Sequence, residues 1–303
     1  MKSYQAHLSS TDAKKALLNV RKPTLRSSAI FPFIINDYMN TKILFLGYWL
    51  IKRNIKEIKV KIHLRTNTGK LIKKINMQIN QVKAFSLSIK DLIKKKRIKH
   101  TLIGSIELEF FSKKDMIFPY PALVVNFEGK DSSTVVHTCG RIFNNKKDLI
   151  SNNQKKVPET GIDILPNENF RPFFAFVNGP KKTTKQILGV SIINSDGEKL
   201  EKKISINNLL PYETKFVYFL SDDEKKFLKN KKGTVKIKHN FSSFFPRFVS
   251  GNLEKKEYNS TLTHTYYDTS NESDSNTFWN NPKKQIFFDS TVSFPLFKEK
   301  KSY

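Results

Sequence analysis

Cysteine is almost missing from these 303 residues: Cys139 stands alone. No intramolecular disulfide can form, which excludes a small disulfide-stapled domain. Arginine is scarce as well, 8 residues against 46 lysines in a net charge of +27. Clustered cations neutralise phosphates, yet arginine is the residue that grips guanine and phosphate with two hydrogen bonds. The lysines are spread through every segment, among abundant Asn and Ile, as in a protein from an AT-rich genome. A nucleic-acid partner therefore follows from charge only. No apolar run exceeds the nine residues from Ile43 to Ile51, against about twenty for a membrane-crossing helix. The opening MKSYQAHLSSTDAKK lacks the apolar core of a secretory leader, so the expectation is a soluble, cytoplasmic protein. H-x-H, HExxH, CxxC and D-x-D are absent, as are RNP, KH, helix-turn-helix and zinc-finger patterns. No motif requires a cofactor.

What the chain does have is aromatic and β-branched residues, including 25 Phe and 10 Tyr, too many for a disordered chain. They lie in short segments with strand periodicity. Ile58, Val60, Ile62 and Leu64 alternate with polar residues as in a half-buried strand, and Asn67-Thr-Gly69 then turns into Leu71 to Ile79. Glycine there permits the positive φ of a tight hairpin. The apolar run Ile43 to Ile51 reads as the preceding strand.

The same plan returns about 127 residues later. Phe173 to Val177 answers the strand at Ile43, Ile187 to Ile193 the alternating strand, and Ser195-Asp-Gly197 the turn. Each half has a Ser-x-x-acid helix start, Ser88 with Asp91 and Ser221 with Glu224, then a glycine (Gly104, Gly233) and another strand. The match is firmest at the end. FPYPALVVNFEGKDSSTVVHT (118–138) aligns without a gap to FPRFVSGNLEKKEYNSTLTHT (245–265), with six identities in 21.

A period of this length means whole domains rather than a solenoid. The fold class expected is all-β: a tandem duplicated antiparallel β-sandwich, immunoglobulin-like or jelly-roll, with a short helical turn in each unit. The organisation read from the chain is a basic flexible arm (1–27), a first repeat (28–143), a linker (144–168), a second repeat (169–268) and a tail docking on a domain (269–303).

His137 and His264 stand at equivalent points, near the end of each repeat's final strand. In a strand, residues two apart share a face, so His137 goes with Cys139 and Arg141, and His264 with Tyr266 and Asp268. Two imidazoles, a thiol and an Asp are a ligand set for zinc or another divalent metal. His264 and Asp268 could equally act as base and orienter, with Tyr266 or Cys139 as proton carrier or nucleophile. All of this requires the two faces to meet, as they would if the units pack about a pseudo-twofold axis. A separation of the histidines beyond about 12 Å would exclude a shared mononuclear site, whose ligand bonds are near 2 Å. The plainer alternative is that Ser-Thr-x-x-His-Thr is a structural turn and strand. Arg141, Arg247 and Cys139 are ligand-binding candidates, Arg247 as a grip for carboxylate or phosphate. Half of the aromatics in Phe170 to Phe176 and Phe241 to Phe248 should be core. Lys94-Lys-Lys-Arg-Ile-Lys-His100 is the densest positive run.

Together these features point first to a non-catalytic binding or assembly protein. Its two fused sandwiches would present loops, edges or an interdomain cleft to a partner: a glycan, an acidic polymer or another protein. The alternative is an enzyme with a composite, metal-assisted site at His137 and His264.

Overall fold

The computed structural model describes residues 23–94, 97–137, 140–143, 159–160, 164–229, 231–241, 244–245 and 247–267. They belong to one unit that ends at Tyr267. In chain order the first elements are β1 (Arg26–Ile35), β2 (Asn40–Leu46), α1 (Tyr48–Arg53), β3 (Ile58–Thr66), β4 (Leu71–Ile79), β5 (Ala84–Ser88), α2 (Ile89–Ile93), β6 (Leu102–Phe111), β7 (Leu123–Glu128) and β8 (Ser133–Val136). After β9 (Arg141–Ile142) come β10 (Glu159–Thr160), β11 (Phe170–Val177), β12 (Gln186–Ile193), β13 (Lys199–Ile206), β14 (Thr214–Tyr218) and α3 (Asp222–Leu228). The last are β15 (Thr234–Lys238), β16 (Phe244–Phe245), β17 (Val249–Glu254), β18 (Ser260–His264) and β19 (Tyr266–Tyr267).

The protein is all-β, with antiparallel sheets forming two sandwiches of matching strand order apart from one added edge strand. The first pairs β1-β6-β3-β4 with β5-β2-β7-β8. The second sets β13-β12-β15-β10-β19 against β14-β11-β17-β18. Put β10 in the place of β1 and each strand of the first sandwich has its counterpart in the second, which adds β19 at the edge of one sheet. β10 and the buried Ile164, which bridges to Gly233, fall within the span 144–168 read as a linker. β1 starts at Arg26, inside the span read as an arm, and nine of its ten residues are buried.

Local signals explain most elements. The β3–β4 and β12–β13 hairpins turn through Gly69 (φ 83°) and Gly197 (φ 82°), a conformation open to glycine at little cost. Ser88 Oγ accepts the Asp91 N–H, and Ser221 with Glu224 forms a capping box. The run Ile43 to Ile51 is corrected: β2 stops at Leu46 and Tyr48–Arg53 is helical. Trp49 explains the change, being buried against Phe110 (ring centroids 5.2 Å) with its indole N–H donating to the Met116 carbonyl at 3.1 Å. An unbroken apolar run has no period, so it does not distinguish helix from strand.

The sandwiches share their interior. In β11, Phe173 and Ala175 pack into the first core, while Phe174 and Phe176 enter the second. All four are at most 2% exposed. β1 does the converse, with Phe31 and Phe33 in the first core and Ile30 in the second. The aromatic run is thus core on both faces rather than on one, which is why it does not alternate.

Candidate functional site

β8 and β18, counterparts in the two sandwiches, lie side by side at the seam. They run in the same direction with equivalent residues abreast. Ser132 Oγ is 3.2 Å from Asn259 Oδ1, and His137 Nε2 is 3.2 Å from His264 Nε2, each pair 127 residues apart. The imidazoles meet edge to face, with centroids 4.7 Å apart and planes at 81°. His137 is exposed; His264 is only 2% exposed. Thr265 fixes the latter's position, its N–H and hydroxyl both binding the Phe248 carbonyl, at 2.7 and 3.2 Å. The Thr265 carbonyl lies 2.9 Å from His264 Nδ1. Nε2 is the ring nitrogen that faces His137. Arg247 Nη1 donates to the same carbonyl at 3.1 Å and stands 3.3 Å from Nδ1.

Arg141 is buried on β9, its guanidinium 5.9 Å from the ring centroids of both Tyr120 and Phe143. The expected continuation of the last strand past His264 is corrected: β18 ends there, and Tyr266 begins β19, which pairs with β10 in the opposite sheet. The i, i+2 rule therefore does not carry from His264 to Tyr266. Cys139, Asp268 and the side chain of Tyr266 lie outside the described residues.

A second cluster was not anticipated. On the outer face of β3 and β6, His63 pairs in register with Glu107, and Lys61 with Glu109. Arg65 Nη2 donates to Glu107 at 2.9 Å and Arg26 Nε to Glu109 at 2.8 Å. Arg65 also stacks over Tyr212 of the second sandwich, 4.1 Å from the ring centroid. Burial raises the pKa of Glu107 against the pull of Arg65, and burial followed by Arg65 lowers that of His63. The ligand atoms of His63, Glu107 and Glu109 lie within 4.8 Å of one another. Two guanidiniums already balance the two carboxylates, so a divalent cation would add uncompensated charge to a buried place. The cluster fits a lock between the sandwiches better than a metal site. Its trace in the sequence is His-x-Arg and Glu-x-Glu on the polar positions of two alternating strands; only the strand pairing brings them together.

A cleft of about 500 Å³ opens between the sandwiches. One wall comes from Asn36 to Tyr38 and Ile98 to Thr101, the other from Tyr218 and Lys256 to Tyr258. Tyr38 and Tyr258 stand together with ring centroids 4.2 Å apart. The hydrogen bond with Tyr258 raises the pKa of Tyr38. Glu257 ties the walls: its carboxylate accepts from Thr101 and, at 2.7 Å, from Arg171, while its carbonyl accepts from Asn36 Nδ2 at 2.8 Å. Lys99 and Lys256 add cationic groups to the lining, and His100 adds an imidazole. Lys99 and His100 end the basic run of residues 94–100. Among the described residues no helix is long and apolar enough to cross a membrane.

No family model matches the sequence, and no curated protein does. Among solved structures, the chain is distantly similar to a β-glucuronidase of Bacteroides uniformis, with 9% identity, a TM-score of 0.18 and coverage of 80% of this chain and 26% of that one. For the serine-rich repeat protein Srr2 of Streptococcus agalactiae the values are 13%, 0.21, 82% and 88%. For a putative β-galactosidase of Bacteroides fragilis they are 8%, 0.16, 79% and 32%. The chain spans about a quarter to a third of the two glycosidases. Likenesses this low carry no argument about activity.

Proposed function

We propose that the protein is a non-catalytic binding protein whose interdomain cleft recognises an acidic glycan, and that its two sandwiches arose by duplication of one eight-stranded unit. The cleft carries this reading: tyrosine rings, lysines and hydrogen-bonding groups from both sandwiches converge on one open cavity. Pockets of a few hundred cubic ångströms at the junction of two modules are the usual place for a ligand. Tyrosine offers a flat apolar face and a polar edge, and lysine attracts carboxylate or sulfate without demanding planar geometry. The cross-links through Glu257 preform the walls, so little ordering is left to binding.

The test is a titration of the full chain against heparin-derived and uronic-acid oligosaccharides at several salt concentrations. Binding should weaken as salt rises, and Tyr258→Ala or Lys99→Glu should each cost at least ~10-fold in affinity, roughly one ~1.4 kcal/mol contact. No binding to any acidic oligosaccharide would reject the proposal, and so would affinity unchanged from the parent in both variants. Tighter binding to DNA of equal charge would replace the partner class.

The contact between His137 and His264 favours a second reading, an enzyme with a composite site at the seam. It requires a hydrolytic or transfer activity that disappears in His137→Ala, and a broad substrate screen of both proteins decides it.

A further inference from the structure

We infer that the seam between β8 and β18 is a binding site for a nitrogen-preferring transition-metal ion, Zn²⁺ or Ni²⁺, held between His137 and His264. The ring nitrogens are 3.2 Å apart. Two nitrogen ligands at about 2.0–2.1 Å from a tetrahedral ion stand about 3.3 Å from each other, so the spacing of the pair matches that of two ligands on one ion. Their separation is at the long limit for an N–H donor to its acceptor.

The remainder of His264 is arranged as a metal-ligating histidine generally is. A ligand imidazole directs one nitrogen to the metal and donates the other N–H to a carbonyl or carboxylate, which sets tautomer and ring orientation. Here Nδ1 is held by the Thr265 carbonyl at 2.9 Å, and Thr265 is itself fastened to Phe248. His264 is thereby a buried, oriented ligand, and exposed His137 is the accessible one. Solvent at His137 leaves room for water in the remaining coordination positions. Arg247 sits 3.3 Å from Nδ1, so its charge adjoins the nitrogen that does not face the metal. Imidazole nitrogens do not hold hard cations such as Mg²⁺ or Ca²⁺, which require oxygen ligands.

The ligands come from equivalent positions, 127 residues apart. Each repeat alone would contribute one imidazole, which is no site. Side-by-side packing of the two copies makes the pair, much as an isologous interface does in a symmetric dimer. The inference is independent of the glycan proposal, since the cleft shares no residue with the seam.

The experiment uses the full chain, stripped with chelator and titrated calorimetrically with Zn²⁺ and with Ni²⁺. One ion per chain is expected, with a rise in melting temperature, and Mg²⁺ should produce neither. His137→Ala changes an exposed side chain and should keep the fold while weakening binding at least tenfold and abolishing the thermal shift. His63→Ala is the control for the His63, Glu107 and Glu109 group and should bind as the parent does. Absence of stoichiometric binding overturns the inference, as does unchanged binding in His137→Ala or loss confined to His63→Ala. Oligosaccharide affinity measured with and without chelator separates the two proposals, because the metal should leave it unchanged.

Discussion

Arg65 and Glu107 show how strongly a single buried pair can weigh. Both are largely hidden, and their 2.9 Å contact joins a strand of the first sandwich to Tyr212 of the second through the guanidinium stacked on that ring. Removing one partner leaves the other's charge buried and without its closest counter-ion, so Arg65→Met should destabilise the protein by about 3–5 kcal/mol in urea unfolding. Adding Glu107→Leu to that variant should restore much of the loss; no restoration would place the effect elsewhere. Glu224 supplies the pH dependence. Burial would raise its pKa, but hydrogen bonds from Lys202 and Ser221 outweigh this and bring it from 4.5 down to about 2. A depressed carboxylate stabilises the fold above its unfolded value and loses that contribution as acid is added. The loss should therefore run from roughly pH 4.5 to 2 and reach on the order of 3 kcal/mol. Comparing urea midpoints at pH 6 and pH 3 tests it: the gap between parent and Glu224→Gln should shrink on acidification.

Among the elements, β11 is the most exacting. It carries aromatic residues into two cores at once, so Phe173→Ala, though on the second sandwich, removes a ring from the first core and should cost about 3–5 kcal/mol by chemical denaturation. The two hairpin turns make a matched comparison. A Cβ on Gly197 would meet nothing within 4 Å, whereas on Gly69 it would lie 2.0 Å from the Pro211 carbonyl. Gly197→Ala should lower stability only by the positive-φ strain, about 1–2 kcal/mol. Gly69→Ala must also displace the loop of the second sandwich and should lower the melting temperature more. Both turns were legible in the sequence, since each follows an alternating strand. That one is docked and the other open was not, because docking depends on residues 142 positions away.

For the whole molecule, the shared packing of β1 and β11 predicts one cooperative unfolding transition rather than two. Residues on either side of each of these strands belong to different cores, so neither sandwich can open without exposing part of the other. Urea unfolding followed by Trp fluorescence and by far-UV circular dichroism should give coincident curves, and separated midpoints would contradict the shared interior. The cleft belongs to this scale as well, since its two walls are contributed by different sandwiches and tied through Glu257.

Periodicity alone was enough to determine an all-β chain, two similar sets of strands and their turns and caps, because alternation and capping act over a few residues. The equivalence of His137 and His264 was legible too, from the repeated Ser-Thr-x-x-His-Thr. Their contact was not, and neither were the pairing of His63 with Glu107 or the burial of Phe173 beside Phe174 on opposite faces. Those depend on which strands become neighbours. Strand order and the packing of one sheet on another are set by the combined burial of dozens of side chains, and no local pattern of residues encodes that sum.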